Sequence, residues 1–183
     1  MREKGIDYYE NSRRATYANR AYCISNPGAY IGYSNKVWGL TACDGPGNQN
    51  KANPNIAFMG YRARGAAQFY QVDDGTIAPT AAGGSMPFAA EICLPALEEM
   101  YRLYGDKIYG EYGFVDAFNW SIVYEDGSKG WVDTDYLGID QGPILIQIEN
   151  NRSGLIWNVM KKNPYIIAGL KKAGFTGGWL DKK

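Results

Sequence analysis

The chain has 183 residues, enough for one domain with a sizeable core, and 45% of them are hydrophobic, as in globular rather than disordered proteins. Lysine plus arginine and aspartate plus glutamate number 19 each, so the formal net charge is zero and a nucleic-acid partner is not expected. The absence of histidine excludes imidazole metal sites, serine–histidine and cysteine–histidine nucleophile pairs, and a histidine general base.

The cysteines, the apolar runs and the aromatic residues further limit the functional classes to which the protein can belong. The three cysteines have no CxxC spacing, and we expect neither a metal nor a cofactor. No apolar run approaches the ~18 residues of a membrane span, and Met1–Lys4 leads into a polar, aromatic helix without the apolar region of a signal peptide. The 15 Tyr and 5 Trp combine apolar faces with polar tips, which suits sugar-binding surfaces where these rings lie in polar, glycine-rich loops.

The first predicted element is a helix from Asp7 to Asn26, with Asp7 as its N-cap and Pro27 after its end. Residues 27–78 then form a long irregular segment rich in Gly, Asn, Pro and aromatic residues, which we interpret as functional loops. Pro79–Gly84 predicts a short helix of small residues, which would permit close approach of another helix.

The middle of the chain predicts one more helix and a second loop. The helix begins near Ser85, has an apolar face at helical spacing, and is expected to end at Gly105. Pro95 should kink this helix or mark its first turn. The loop from Tyr109 to Leu137 contains a predicted hairpin turn at Glu125–Gly127.

The last third of the chain predicts a long helix with Asp140 as its N-cap, then a final helix that opens at Asn163 and ends before Gly174. Helix pairs therefore alternate with long polar loops, and strands are few and short. This pattern excludes a doubly wound α/β fold and favours a helical-hairpin array or a toroid. The long helix is expected to bury a stripe made of Ile144, Leu145, Ile148, Leu155, Ile156 and Val159.

Without histidine, carboxylates are the natural catalytic candidates. Glycoside hydrolysis needs two of them, a protonated acid and a base or nucleophile. A helix N-terminus would keep the pKa of Asp140 low, as a base requires, although capping alone also explains this residue. Asp116 lies between Phe114 and Phe118, where desolvation would raise its pKa toward that of a general acid.

The remaining acidic residues have a structural explanation as good as a functional one. Asp-Gly is a common turn dipeptide, and other loop aspartates serve equally well as caps. Glu149 and Arg152, three residues apart on the long helix, predict a structural ion pair. The loop carboxylates in this group are Asp44, Asp73, Asp74, Asp133 and Asp135.

Five ordered stretches resemble the glucoamylase-like domain, which is found in bacterial endo-β-1,2-glucanases and at the C-terminus of cyclic β-1,2-glucan synthases. The resemblance runs from about Asp7 to Phe175. The stretches are Glu10–Thr16, Trp38–Ala42, Asp74–Ala82, Tyr112–Asn119 and Leu137–Ile144, the last continuing through Ile148–Asn150 and Arg152–Trp157.

The resemblance implies that residues 1–183 are mainly α and form the second half of an (α/α)6 toroid, without a second domain. Domains of this family are longer than this chain, so at least one catalytic carboxylate is expected to lie outside it, and the chain alone should not turn over substrate. A half toroid would expose apolar helix faces and favour self-association. The family also implies a periplasmic or secreted location.

The implied activity is hydrolysis of a β-glucan, with a β-1,2 linkage as the leading expectation. Asp140 is then the expected base or nucleophile, and Asp116 and Asp44 complete the expected catalytic set. The residues expected to stack on or bind sugar are Trp38, Tyr61, Asp74, Asn119, Trp131, Tyr136 and Gln141.

Three alternatives to hydrolysis remain open. A non-catalytic carbohydrate-binding or assembly module would explain the same aromatic residues without needing an acid. A β-glucan transglycosylase would share the glycosidase machinery. A toroidal polysaccharide lyase is the weakest alternative, because such enzymes usually abstract a proton with Tyr or His and this chain has no histidine.

Overall fold

The computed structural model describes residues 2–48, 51–52, 55–67 and 69–181. Its helices are α1 (Tyr8–Ser25), α2 (Pro79–Gly83), α3 (Ala90–Ile108), α4 (Gly138–Arg152), α5 (Leu155–Met160) and α6 (Pro164–Lys172), with a 3-10 turn at Gly178–Leu180. The strands are short, as the sequence predicted, and form two-stranded antiparallel ladders between chain neighbours. The pairs are β1 (Arg2–Glu3) with β2 (Ile6–Asp7), β3 (Ala42–Cys43) with β4 (Arg62–Ala63), β5 (Gly65–Ala67) with β6 (Tyr70–Val72), β7 (Tyr109–Gly110) with β8 (Gly113–Phe114), and β9 (Phe118–Val123) with β10 (Lys129–Val132).

Helices α1 and α6 begin where their caps predict. The Asp7 carboxylate accepts the backbone N–H groups of Tyr9 and Glu10, at 3.1 and 3.2 Å, and so satisfies two donors that the first turn leaves open. Asn163 does the same for α6 by accepting the Tyr165 N–H at 2.9 Å. The predicted ion pair of Glu149 with Arg152 also forms, at 2.8 Å.

Helix α3 supplies much of the core and is shifted along the chain relative to the prediction. It begins at Ala90 and not near Ser85, contains Pro95, and continues through Gly105 to Ile108, so both predicted ends are wrong. The physical reason is that Ile108 is fully buried in the core, and its burial sustains another turn of helix. The core packs α3 side chains against the loops and β9, through Cys23, Val37, Trp38, Leu40, Ile77, Cys93, Leu97, Met100, Phe114 and Phe118.

Helix α2 packs closely against α4, as its small residues predict. A Cβ atom added to Gly83 would lie 2.7 Å from Cγ1 of Ile144, nearer than such atoms can approach. The Thr80 hydroxyl donates to the backbone oxygen of Asp140 at 3.3 Å. Because α2 approaches so closely, it fixes the first turns of α4, which carry Asp140.

Three predictions for the long helix are wrong. Leu137 is the N-cap, so Asp140 lies inside the first turn. The helix also breaks at Gly154, whose φ of 70° ends α4 before α5 begins. The expected buried stripe is largely exposed, with Leu145 at 72% and Val159 at 60%, because α4 meets α2 through the Ile144 side of the helix instead.

The hairpin of β9 and β10 confirms the predicted turn. The Tyr124 N–H donates to the Ser128 oxygen at 2.9 Å, and Gly127 takes the positive φ that the turn requires. The register pairs Phe118 with Val132 and Asn119 with Trp131, which brings the segments before β9 and after β10 side by side. Among the helices in the described ranges, none is both long and apolar enough to cross a bilayer.

Candidate active site

A cleft of about 380 Å³ lies between the β3 segment, α2 and the first turn of α4. Its walls combine small residues with two carboxylates, one tyrosine and the apolar residues at the start of α4. The lining residues are Thr41, Ala42, Cys43, Tyr61, Thr80, Ala81, Gly84, Ser85, Asp116, Leu137, Ile139, Asp140 and Pro143.

Asp116 lies at the buried side of this cleft, just before β9, and is only 2% exposed. Its backbone N–H donates to the Asp135 oxygen at 3.1 Å, which ties it to the segment after β10. Its Oδ2 accepts the backbone N–H of Asp44 at 2.7 Å. Burial raises the pKa of Asp116, as the sequence predicted, while the Asp44 amide works in the opposite direction.

Asp140 lies within hydrogen-bonding reach of the Asp116 carboxyl group and is 5% exposed. Its Oδ2 is buried and meets no N–H or O–H donor of the described residues. Burial, and then the neighbouring Asp116 charge and hydrogen bond, raise the pKa of Asp140 to about 7. The prediction that the helix N-terminus keeps this group ionised is therefore wrong, because desolvation outweighs the helix dipole here.

Two further carboxylates complete the cluster. Oxygen atoms of Asp44, Asp116 and Asp133 lie within 4.8 Å of one another. Asp133 accepts the Thr134 N–H at 2.7 Å through Oδ1, and burial raises its pKa. Three carboxylates this close have the ligand type of a hard cation site. Asp116 and Asp133 already accept backbone amides, however, and we assign no metal ion.

Asp133 was not among the predicted site residues. Counting the register outward from the Glu125–Gly127 turn places residue 133 opposite 119, and the bulge between Lys129 and Trp131 shifts its partner by two positions, to 117. The structure has this pairing, since the Asp133 N–H donates to the Ala117 oxygen at 2.9 Å. A hairpin thus brings the acid that precedes its first strand beside the acid that follows its second.

Four of the predicted sugar-binding residues lie in or near the cleft. Tyr61 lines it and is 70% exposed, so its ring is available for stacking. Tyr136 packs edge-on against Tyr112, with ring centroids 5.8 Å apart. Trp131 is partly buried against the small apolar cluster beneath the cleft. The Gln141 amide donates to the Phe114 oxygen, so it holds the neighbouring loop.

The other three predicted sugar-binding residues are framework residues instead. Trp38 is fully buried in the core and offers no ring face to a sugar. Asp74 is buried and forms an ion pair with Arg64 at 2.8 Å. The Asn119 amide donates to the Asp74 oxygen at 2.9 Å and to the Thr76 hydroxyl at 3.0 Å. The polar groups of Asp74 and Asn119 are therefore bonded inside the protein, as buried polar groups usually are.

Trp38 does border a second cavity of about 310 Å³, next to α1. This cavity shares Thr41, Ala81 and Ser85 with the cleft, so the two form one continuous groove. Within the described residues, the Trp38 indole N–H is buried without a hydrogen-bond partner. The groove therefore extends from the carboxylate cluster toward polar side chains of α1, namely Ser12, Thr16 and Asn19.

With this geometry established, comparison with known proteins identifies the family. The family model described as "Putative glucoamylase" (Glycoamylase) matches residues 1–164. The chain belongs to this glucoamylase-like family.

Named relatives are β-1,2-glucan hydrolases. The chain is 36% identical, over 93% of its length, to an exo β-1,2-glucooligosaccharide sophorohydrolase (non-reducing end) of Parabacteroides distasonis. It is 37% identical to an endo-β-1,2-glucanase from Chitinophaga pinensis solved with sophorotriose and glucose, with a TM-score of 0.79 over 98% of the chain. It is 35% identical to a β-1,2-glucanase structure from P. distasonis, with a TM-score of 0.76 over 94% of the chain.

This member of the family matches only part of those proteins. It covers 21% of the sophorohydrolase, 38% of the C. pinensis structure and 22% of the P. distasonis structure. The Asp44–Asp116–Asp133 oxygens, within 4.8 Å, are closer than the roughly 6.5–9.5 Å between the carboxyl groups of an inverting glycosidase.

Proposed function

We propose that this chain forms one wall of the active site of a glycoside hydrolase that acts on a β-1,2-linked glucan. The observation that carries the proposal is a buried carboxyl group, Asp140, at the cleft with its pKa raised to about 7. A group with this pKa is protonated at slightly acidic pH and can donate to a glycosidic oxygen, as a general acid must. The names of the relatives support β-1,2-glucan as the substrate.

In this mechanism, Asp140 donates its proton to the leaving glycosidic oxygen as the bond from that oxygen to the anomeric carbon breaks. Asp116 is the carboxylate partner that accepts a hydrogen bond from the protonated Asp140 before transfer, and Asp44 anchors Asp116 through its backbone N–H. Because the base or nucleophile acts on the opposite face of the sugar from the general acid, we place it outside this cluster, across the cleft. Full turnover then requires that second group.

The glucan would lie along the groove, with one residue stacked on Tyr61 and the next extending toward α1. Tyrosine suits this role because its ring covers a pyranose face while its hydroxyl stays in water. The helices α1 to α6 would form the second half of an (α/α)6 toroid. Support for this arrangement comes from the TM-score of 0.79 to a chain of which this one covers 38%.

The test is a chimaera in which this chain replaces the matching 38% of the C. pinensis endo-β-1,2-glucanase. Reducing-sugar release from linear β-1,2-glucan should be retained. Loss of a general acid costs roughly 10²–10⁴-fold in rate, and Asp140→Asn should fall in this range. Full activity of Asp140→Asn would refute the assignment. Glucan binding without any release by the chimaera would favour the non-catalytic module.

We also propose that copies of this chain associate through the exposed apolar face of α4 and α5. Leu145 on α4 and Val159 on α5 are 72% and 60% exposed. Ile139, in the first turn of α4, is exposed as well. Large exposed apolar patches mark interaction surfaces. Light scattering should show a concentration-dependent mass that Leu145→Glu lowers and that Ile31→Glu, an exposed apolar control far along the chain, does not. A monomer at every concentration would contradict this.

A further inference from the structure

Arg64 is the most thoroughly bonded side chain beside the site, although sequence analysis did not single it out. Its guanidinium is fully buried and pairs in a two-pronged contact with Asp74, Nε to Oδ1 at 2.8 Å and Nη2 to Oδ2 at 2.9 Å. Such planar, bidentate pairs fix the orientation of both groups. The orientation of Arg64 is therefore set from the side away from the cleft.

The other prong of Arg64 reaches the site. Nη1 donates to the Cys43 oxygen at 2.8 Å, and the Asp44 N–H donates to Asp116 Oδ2 at 2.7 Å. The Cys43 carbonyl and the Asp44 N–H belong to the same peptide group. A cation bonded to the oxygen of a peptide polarises its N–H, and hydrogen bonds linked in this way strengthen one another. Arg64 thus acts on Asp116 through one intervening peptide.

The loop around Arg64 is shaped for this contact. Nη2 also donates to the Met59 and Gly60 oxygens, each at 3.1 Å, which closes the cage around the guanidinium. A Cβ atom on Gly45 would lie 2.2 Å from Nη2, so the residue after Asp44 must lack a side chain. The Asp44–Gly45 dipeptide, which in the sequence indicates only a turn, therefore admits the guanidinium to the peptide.

The charged and titratable groups around the Asp116–Asp140 pair come from several segments. Asp44, directly after β3, and Asp140, in α4, both act on Asp116. Asp133 acts on both Asp116 and Asp140. Arg64 is the positive group in this set and favours the charged form of Asp116. Within the described residues, the groups that act on the pair or on its neighbours are Cys43, Asp44, Arg64, Asp74, Asp133, Asp135 and the two members themselves.

From this geometry we infer that Arg64 is a positioning residue that keeps Asp116 as the ionised member of the pair, through the Cys43–Asp44 peptide, and so leaves the proton on Asp140. The inference rests on the proposed function, because it assigns the proton to the acid that the mechanism needs. Asp140 has no corresponding donor in the described residues, since its Oδ2 is buried without one. The two aspartates therefore differ in their affinity for the shared proton.

The first test uses the unaltered chain and follows the Asp44 amide proton by NMR as the pH is raised. Its chemical shift should titrate with the lower of the two steps of the pair, because its bond strengthens when Asp116 ionises. The Asp140 side-chain carbon should report the upper step. An Asp44 amide that titrates with the upper step would overturn the inference, since Asp116 would then hold the proton.

The second test compares Asp74→Asn with the double variant Arg64→Met/Asp74→Asn. The double variant leaves no unpaired buried charge, so it is expected to fold. The single variant keeps the Arg64 contact with Cys43 but leaves the Arg64 charge unpaired, and the unaltered chain is the reference if this variant does not fold. Only the double variant should raise the pKa of the lower titration step. The expected rise is about one unit, which is a tenfold increase in proton affinity. Equal titrations in the two variants would contradict the inference. Neither NMR test requires turnover, so an inactive chimaera with these titrations would refute the proposed function alone.

Discussion

Asp116 and Asp140 lie within hydrogen-bonding reach of each other on one wall of the cleft, although 24 positions separate them in the chain. Both are almost completely buried, and one of them accepts a backbone amide while the other does not. Two carboxylates this close cannot both be charged without a large cost, and a shared proton relieves it. The site therefore stores a proton at a pH at which an ordinary aspartate has lost it.

The raised pKa of Asp140 predicts how the stability of the fold depends on pH. The pKa of Asp140 is about 7 in the folded chain and about 4 in an unfolded one, so the folded chain binds more protons between these values. The contribution to stability is then present below pH 4 and is lost as the pH rises toward 7. The unfolding free energy should fall by on the order of 1–3 kcal/mol between pH 5 and pH 8.

Urea unfolding of Asp140→Asn provides the comparison, because its amide cannot ionise. The variant should lose most of this pH dependence and become more stable than the unaltered chain at pH 8. Asp106→Asn, at an exposed position of α3, should keep the original dependence. A steep fall in stability with pH in Asp140→Asn would show that another group stores the proton.

Close packing of α2 on α4 predicts opposite effects for two glycine-to-alanine changes. Gly83→Ala should destabilise the fold by roughly 1–3 kcal/mol, because its new methyl group would lie 2.7 Å from the stiff Ile144 side chain. Gly142→Ala, within α4, has nothing within 4 Å and should stabilise by up to about 1 kcal/mol through helix propensity. Thermal unfolding compares the two. A neutral Gly83→Ala would mean that α2 and α4 are farther apart.

Exposure of the Tyr61 ring at the cleft predicts its part in binding. Tyr61→Ala should weaken the binding of sophorotriose on the order of tenfold, as loss of a well-placed aromatic contact does, and Tyr61→Phe should retain most of the affinity. Tyr165→Ala removes an even more exposed tyrosine from α6, away from the cleft, and should change nothing. Calorimetric titration measures the three. Equal affinity of Tyr61→Ala and the unaltered chain would remove Tyr61 from the sugar path.

Local signals in the sequence predicted the elements whose ends depend on neighbouring residues. Asp7 and Asn163 cap the helices that follow them, and Gly127 turns the hairpin, because each acts within three residues of itself. The first turn of α4 was misjudged because Asp140 had the composition of an N-cap, whereas tertiary packing against α2 begins the helix after Leu137.

The site was harder to predict than the helices. Trp38 and Tyr61 both lie in glycine-rich loops, yet one ring is in the core and the other is in solvent, and only tertiary packing distinguishes them. Likewise, the sequence pattern could identify Asp116 and Asp140 as candidate site residues. It could not reveal that burial reverses the expected ionisation of Asp140. The role of Arg64 depends on three separate segments and has no local signal at all.

The most direct measurement of the central claim, a neutral carboxylic acid at the cleft, is the titration of Asp140 by carbon NMR of labelled aspartate side chains. Asp140→Asn assigns its signal. A midpoint near pH 7 is the predicted result, and it should fall only part of the way toward the ordinary value near 4 when Asp116 is replaced by Asn, because burial still raises it. A midpoint near 4 in the unaltered chain would contradict the account, because Asp140 would then be ionised and could not protonate a glycosidic oxygen at neutral pH.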